Sequence, residues 1–332
     1  MGLGITVPVP GLSVIIDAAT LLYFKVLNRK EIQPQENSDL DVTAIISARN
    51  EERWIRQCVE SLFRQTMPPK KVIVVDDYSQ DKTSEICMEL DKEYLDFIYI
   101  RRRERCGKAN NLNYATQLVL NDKRLLSQIV VIVDGDTVPR SDFIEQMTKP
   151  FISKDIAAVS GTGFVTKPEN FAGKVIAATY RFLFKFYSWQ KTSQNHRNAI
   201  SPVCGGAVAY RTEVLGKIAI PARCITEDTD HTWLLLENKY KVVHNPKALV
   251  DSEQARTLRG FFRQWYRWYS GSHQALHIHG RKLLDAKKLL FTTLIPSCID
   301  GWIYSVWLVG FLFFSFLDPV WSMWLMAADV GL

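Results

Sequence analysis

The first half of the chain alternates between two hydrophobic periods. Val42 to Ser47 is a short apolar run of the kind that forms a strand buried on both faces. Glu51 to Gln65 has apolar residues at 55, 58, 59, 62 and 63, the stripe of an amphipathic helix. Lys71 to Asp76 predicts a second strand, Asp81 to Leu90 a helix and Phe97 to Ile100 a strand. Ala109 to Leu126 predicts a helix, and Ile129 to Val133 a strand that runs into Asp134-Gly135-Asp136. Strands and helices in strict alternation imply an α/β domain, a parallel sheet with helices on both faces.

The ends follow another pattern. Leu289 to Leu317 is apolar with one charge, Asp300, and is long enough to span a bilayer; a buried core helix is the competing reading. Pro296 and Asp300 predict a kink, or a start in the headgroup layer. After Asp318-Pro319, Val320 to Leu332 is too short to span. Leu12 to Leu27 predicts a spanning or half-inserted helix, with a surface amphipathic helix as the alternative. Lys25, Arg29 and Lys30 follow the first segment, and Arg281, Lys282, Lys287 and Lys288 precede the second. By the positive-inside rule both sets put the middle region in the cytoplasm, as expected of an integral plasma-membrane protein. The organisation expected is a membrane segment over 1–30, a catalytic domain over 40–255, an amphipathic interfacial region over 256–285 and a membrane segment over 289–332. Glu31 to Asp39 is a polar linker.

Composition changes this picture little. The chain has 332 residues and a net charge of +6, with 23% charged residues, which fits neither a disordered polyelectrolyte nor a nucleic-acid binder. Aromatic residues concentrate late in the chain, as at a membrane interface. Six cysteines show no C-x-x-C spacing and are read as reduced, mostly buried thiols. His273, His277 and His279 are read as a solvated or headgroup-facing surface. Lys174 to Lys191 is an aromatic helix, either core or interfacial. Arg101 to Arg105 either borders donor phosphates or is a solvated loop.

Ligands of open α/β sheets bind at the carboxyl ends of strands, and here those ends are acidic: Asp76-Asp77, then Asp134 and Asp136. There is neither a G-x-G-x-x-G nor a P-loop. Carboxylates at strand ends suit phosphates held through Mg²⁺ or Mn²⁺. An isolated D-x-D is weak; the apolar strand directly before this one strengthens it.

Seven motifs in order then carry a resemblance: ISARNEE (46–52), VVDDYS (74–79), GKANNLN (107–113), DGDTVP (134–139), CGGAVAYR (204–211), TEDTD (226–230) and RQWYRW (263–268). Over about residues 42–270 the chain resembles the inverting family 2 glycosyltransferases of GT-A fold, and most of all the membrane-embedded hyaluronan, chitin, cellulose and poly-N-acetylglucosamine synthases. The resemblance implies a glycosyltransferase that moves a sugar from a nucleotide donor, a UDP-sugar, onto a growing polysaccharide. The alternative is a single transfer to a lipid or lipid-linked acceptor, and a catalytically dead scaffold is a third reading. Ala48, Asn50, Glu51, Asp76, Asp77, Lys108, Asp134, Asp136, Glu227, Gln264 and Arg267 would bind the nucleotide sugar. Asp77 or Asp76 would take hydrogen bonds from the nucleobase, and Asp136 would ligate the metal. Asp228 would be the general base, kept ionised by a helix dipole; an N-cap role for it is compatible. Gly205, Gly206 and Trp268 would meet the acceptor. Phe261, Phe262, Trp265, Tyr266 and Tyr269 would anchor their helix at the lipid surface. Trp265 stands where Arg or Gln is commoner, and Ala255 where Pro is. The membrane portion is shorter than in such synthases, the lipid bilayer is an expected partner, and the oligomeric state is left open.

Overall fold

The computed structural model describes residues 11–26, 40–165, 171–255 and 257–300. At its centre are three strands, β1 (Val42–Ala48), β2 (Lys71–Asp76) and β4 (Ile129–Asp134), buried almost throughout. Their side chains sort by the two-residue period of a strand. Ala44, Ile46, Val72, Val74, Val131 and Val133 enter one core layer, while Ile45, Ile73, Val75, Val130 and Ile132 enter the other. Helices α2 (Ile55–Phe63) and α3 (Thr83–Glu93) cover the first layer. Helix α4 (Lys108–Asn121) covers the second. Strand β3 (Phe97–Arg101) adds parallel to β2 at the edge.

The expected parallel sheet is correct for this half only. The whole sheet has eight strands in the order β3-β2-β1-β4-β7-β6-β8-β5. Strand β7 (Ala207–Arg211) runs antiparallel to β4, and β6 (Ile156–Val165) is antiparallel to β7. Strand β8 (Lys241–Ser252) is parallel to β6, and the short β5 (Thr137–Pro139) closes the edge against it. Helix α5 (Phe143–Thr148) packs under β8, α7 (Thr212–Lys217) follows β7, and α8 (Glu227–Glu237) precedes β8. Register aligns the chemistry: Ser47 pairs with Asp134, Ala48 with Asp76, and Val133 with Ala207. The ends of β1, β2 and β4 and the entry to β7 therefore share one edge.

Three long helices flank that edge. Helix α1 (Leu12–Val26) has 15 residues, fewer than the about 20 that a bilayer core needs. It lies against α6 (Phe171–Arg197), where the buried Asp17 pairs with Arg197 at 2.6 Å. Asp300 accepts the backbone N–H of Ser13 at 2.9 Å and that of Leu12, so the one charge of the late apolar run caps the early helix. Among the described residues no helix is long and apolar enough to cross a membrane. The run beyond Asp300, and with it most of the 289–332 segment, lies outside the described residues. A π-helical turn, Leu290–Leu294, stands directly before Pro296. Pro296 has no N–H for the α-helical bond and its ring crowds the preceding turn, which accounts for the irregular turn there.

Helix α9 (Leu258–His279) begins at Thr257, whose hydroxyl caps Gly260 N–H at 3.1 Å. Phe262 and Tyr266 are exposed, as expected of lipid anchors. Phe261 and Trp265 are not: Phe261 packs edge-on to Tyr180 at 5.3 Å, and Trp265 packs tilted or edge-on against Phe261, Trp268 and Tyr269. The aromatic cluster reads inward as well as outward. All six cysteines are free thiols.

Candidate active site

A cavity of about 900 Å³ opens where the strand ends meet α6, α8 and α9. Asp134, Asp136, Asp228 and Arg267, far apart in sequence, all line it, as do Ala48, Glu51, Asp77, Lys108, Glu227, Gln264, Trp268, Gly205 and Gly206.

Lys108 is the hub. Its ammonium lies 2.6 Å from Asp134 and 3.2 Å from Glu227, tying the end of β4 to the start of α8. Burial works against that charge, but Asp134 and Glu227 hold its pKa well above the ordinary lysine value. Asp228 is raised to about 6, by burial first and by Glu227 second. The helix dipole was expected to keep it low; desolvation and a like charge outweigh the dipole. Asp228 is also not the N-cap. Thr226 stands there, and the Asp228 carboxylate accepts the N–H of Thr229 at 2.8 Å.

Glu51 and Asp136 are both held above the ordinary carboxylate range, by burial first and by neighbouring acids second. Burial, Asp136 and Asp134 push Glu51 up to about 8, and burial and Asp134 push Asp136 to about 6. Among the described residues no three acidic, Cys or His side chains are grouped as a metal cage. That donor set fits Mg²⁺ or Mn²⁺, which take one or two carboxylates and draw their remaining oxygens from phosphate and water. It does not fit a self-contained structural metal.

Two expected donor-binding residues do not reach the cavity. Asp76 is fully buried and its carboxylate accepts Ser79 N–H at 2.9 Å, the Ser84 hydroxyl at 2.6 Å and the Tyr99 hydroxyl at 2.8 Å. Its neighbour Asp77 faces the cavity and holds the next loop through Cys106 N–H at 2.7 Å and Gly107 N–H at 3.1 Å. Asn50, at φ +57°, turns away and accepts Gln80 N–H at 2.9 Å. A short polar side chain tolerates that left-handed backbone best.

The two glycines make room for carboxylates, and the Gly205 carbonyl also accepts the Lys108 ammonium at 3.4 Å. A methyl on Gly205 would stand 2.8 Å from the Asp228 carboxylate, and one on Gly206 2.6 Å from that of Asp134. Gln264 spends its amide on protein: it accepts the Tyr180 hydroxyl at 2.5 Å and donates to Gln254 at 3.2 Å. Arg267 faces the cavity without a carboxylate partner among the described residues.

Sequence reasoning missed Lys191, Tyr187 and His244, which line the same cavity from α6 and β8. Lys191 has its pKa lowered by burial and has no hydrogen-bond partner among the described residues. A signal existed: Tyr180, Phe184, Tyr187 and Lys191 follow a 4-3-4 spacing on one helix face. His279 is also not the surface residue expected; it is buried between two carboxylates. His273 and His277 are exposed. Of the arginine loop, Arg105 lines the cavity while Arg102 covers Tyr114 at 4.5 Å.

A family model described as glycosyltransferase-like family 2 matches residues 39–271. The poly-β-1,6-N-acetyl-D-glucosamine synthase of Staphylococcus epidermidis is 26% identical over 287 residues, 85% of this chain and 67% of the relative. Its namesake in Staphylococcus aureus (strain COL) is 26% identical over 269 residues, 80% of this chain and 63% of the relative. The chain thus spans about two thirds of the length of the curated relatives it matches. Among solved structures, the mannosyltransferase PcManGT of Pyrobaculum calidifontis, in complex with GDP-Man and Mn²⁺, superposes with a TM-score of 0.59 at 19% identity, covering 96% of this chain and 97% of that one. The superposition gives the same fold. With a mixed α/β sheet of GT-A type and a family match over most of its length, the chain belongs to the glycosyltransferase-like family 2 and is a glycosyltransferase.

Proposed function

We propose that this chain transfers a sugar from a nucleotide sugar, a UDP-sugar by resemblance, onto the hydroxyl of a growing polysaccharide, with inversion at the anomeric carbon. One observation carries the reading: the acid Asp228 and the cation Arg267, which has no carboxylate partner among the described residues, share a cavity with the strand-end acids Asp134 and Asp136. The curated relatives, named for a β-linked N-acetylglucosamine polymer, support the product class. The exposed aromatics Phe262 and Tyr266 on α9 and Phe182 on α6 support work at a lipid surface.

In this reading Asp77 and the Cys106–Gly107 loop border the nucleobase. Arg267 and Lys108 face the diphosphate, Arg267 as a planar fork and Lys108 as a point charge. Asp136, with Glu51 beside it, would hold Mg²⁺ or Mn²⁺, which supplies neutralisation of the diphosphate charge when bound. Trp268 offers an indole face to the acceptor sugar. The acceptor oxygen forms its bond to the anomeric carbon as its proton passes to Asp228. The bond to the diphosphate breaks on the opposite face, and its electron pair leaves with the nucleoside diphosphate. A carboxylate with a pKa near 6 is ionised at neutral pH yet basic enough to take that proton.

The test is Asp228→Asn in the full chain in nanodiscs, assayed with a panel of UDP- and GDP-sugars. Transfer should fall by about 10²-fold or more while nucleotide binding persists. EDTA should stop the wild type, and Mg²⁺ or Mn²⁺ should restore it. Unchanged turnover in Asp228→Asn removes this mechanism. A ladder of radiolabelled products fits a polysaccharide; a single lipid-soluble product replaces that substrate with a lipid-linked acceptor.

A further inference from the structure

Helices α8 and α9 meet at two points. Near the cavity, Gly271 lies against Thr226, the cap of α8: a methyl there would come within 2.4 Å of the threonine side chain. At the far end of α9, His279 is buried, with Nε2 2.9 Å from Asp230 and Nδ1 2.6 Å from Glu237, both on α8. Asp230, fully buried, also takes the Arg223 guanidinium in two bonds of 2.9 and 3.0 Å. The Trp233 ring closes the site edge-on at 5.6 Å. Asp230, Glu237 and Arg223 are the charged groups gathered here among the described residues.

Both partners of the imidazole are carboxylates, which only accept. A neutral imidazole has one N–H, so only the imidazolium can donate at both nitrogens, whichever tautomer is assigned. With His279 charged, two cations and two anions balance. Without its proton, one buried negative charge is left over, and a carboxylate loses its donor.

Gly271 makes this contact a lever. Along a helix His279 is about 12 Å and Arg267 about 6 Å from Gly271, on opposite sides. A movement of about 2 Å at His279 would then swing Arg267 by about 1 Å.

We propose that His279 is a positioning residue: its imidazolium pins the end of α9 to α8 and so fixes Arg267 and Trp268 relative to Asp228. The proposal rests on the roles given to those three residues above. Burial disfavours the charge of His279, but the bonds to Asp230 and Glu237 outweigh it and raise its pKa above the ordinary histidine value.

Three measurements on the full chain in nanodiscs test this: the NMR titration of labelled imidazoles, amide exchange in 271–279 corrected for intrinsic rates, and kcat and donor KM against pH. In the wild type kcat should fall at alkaline pH as His279 loses its proton, with KM nearly constant and exchange protection falling in step. Glu237→Gln should move the imidazole midpoint and the kcat limb down together by about one pH unit. His279→Gln should lose the alkaline limb and run at a kcat lower by on the order of tenfold or more. An imidazole midpoint at or below the ordinary value, or a kcat limb that stays put in Glu237→Gln, overturns the proposal. If His279→Gln does not fold, the Glu237→Gln comparison decides alone. The NMR and exchange readouts need no substrate. A clamp that titrates as expected in a chain that transfers no sugar would therefore refute the proposed function and leave the α8–α9 clamp standing.

Discussion

Gly205→Ala isolates the position of the proposed base without substituting any charged group. The new methyl would stand 2.8 Å from Asp228 Oδ2 and 3.2 Å from its Cβ and Cγ. Unbonded heavy atoms settle further apart, so relief needs a shift of about 0.5 Å. Neither side yields freely. The other Asp228 oxygen is held by Thr229 N–H at 2.8 Å, and the Asp228 carbonyl accepts the Thr232 hydroxyl at 2.6 Å. The glycine loop is pinned by Cys204 N–H on the Ser160 hydroxyl at 2.9 Å. Catalytic groups work within about 0.5 Å of their productive geometry, and a misplacement of about 1 Å costs on the order of 10²-fold. We therefore expect kcat to fall by about 10- to 100-fold, with a stability loss of about 1–3 kcal/mol from overpacking. The assay is kcat at saturating donor and acceptor, with nucleotide affinity and thermal unfolding measured on the same preparation. The neighbouring Gly206→Ala is the control. Its methyl meets Asp134 at 2.6 Å, so it should weaken nucleotide affinity through the Lys108 ion pair. A folded Gly205→Ala with kcat within about twofold of wild type would refute the placement of Asp228 at the reacting hydroxyl.

Two further outcomes follow from charge. Because Asp228 sits near a pKa of 6, kcat should decline as pH falls through that value; Lys108 lowers it, so Lys108→Met, measured at saturating donor, should move the acid limb upward. Asp17 and Arg197 form an ion pair with side chains 2% and 12% exposed, so Asp17→Ala should cost about 3–5 kcal/mol of α1 docking, read by limited proteolysis and thermal unfolding, whereas Asp17→Leu with Arg197→Met should recover most of it.

What the sequence made legible was local. Strands β1, β2 and β4 read directly because they are unbroken apolar runs, and their parallel pairing follows from the helices between them. Strands β6 and β8 did not. The first contains Gly161 and Gly163, the second Asn245, Pro246 and Lys247, and their pairing has register shifts. Composition of that kind resembles loop, and long-range pairing overrides it. The same limit applies in the site. Asp134, Asp136 and Asp228 stand in motifs, so their types and order suffice to find them. Lys191 and His279 are defined by partners or walls supplied from elsewhere in the chain. Nothing next to His279 in sequence foretells that Asp230 and Glu237 flank it.

Neighbouring acids in this chain differ in task because the fold spends one of them. Asp76 closes β2 and Asp77 follows it, and the sequence offers both as nucleobase contacts. The fold satisfies Asp76 with three donors from the turn after β2, from α3 and from β3, so no capacity faces the cavity. Asp77 holds two backbone amides and still lines the cavity. A carboxylate has about four acceptor positions, so Asp77 keeps some for a ligand. The two should therefore fail differently. Asp76→Asn disturbs a fully buried carboxylate held by three donors and should cost about 1–3 kcal/mol of stability, while the folded protein keeps its donor KM. Asp77→Asn loses a cavity-facing acceptor and loosens the Cys106–Gly107 loop, so donor KM should rise while the unfolding midpoint moves little. Steady-state kinetics and thermal unfolding on both variants separate the cases. If Asp76→Asn raises donor KM as much as Asp77→Asn does, the division of work between the two acids is wrong, and the strand end acts as one unit.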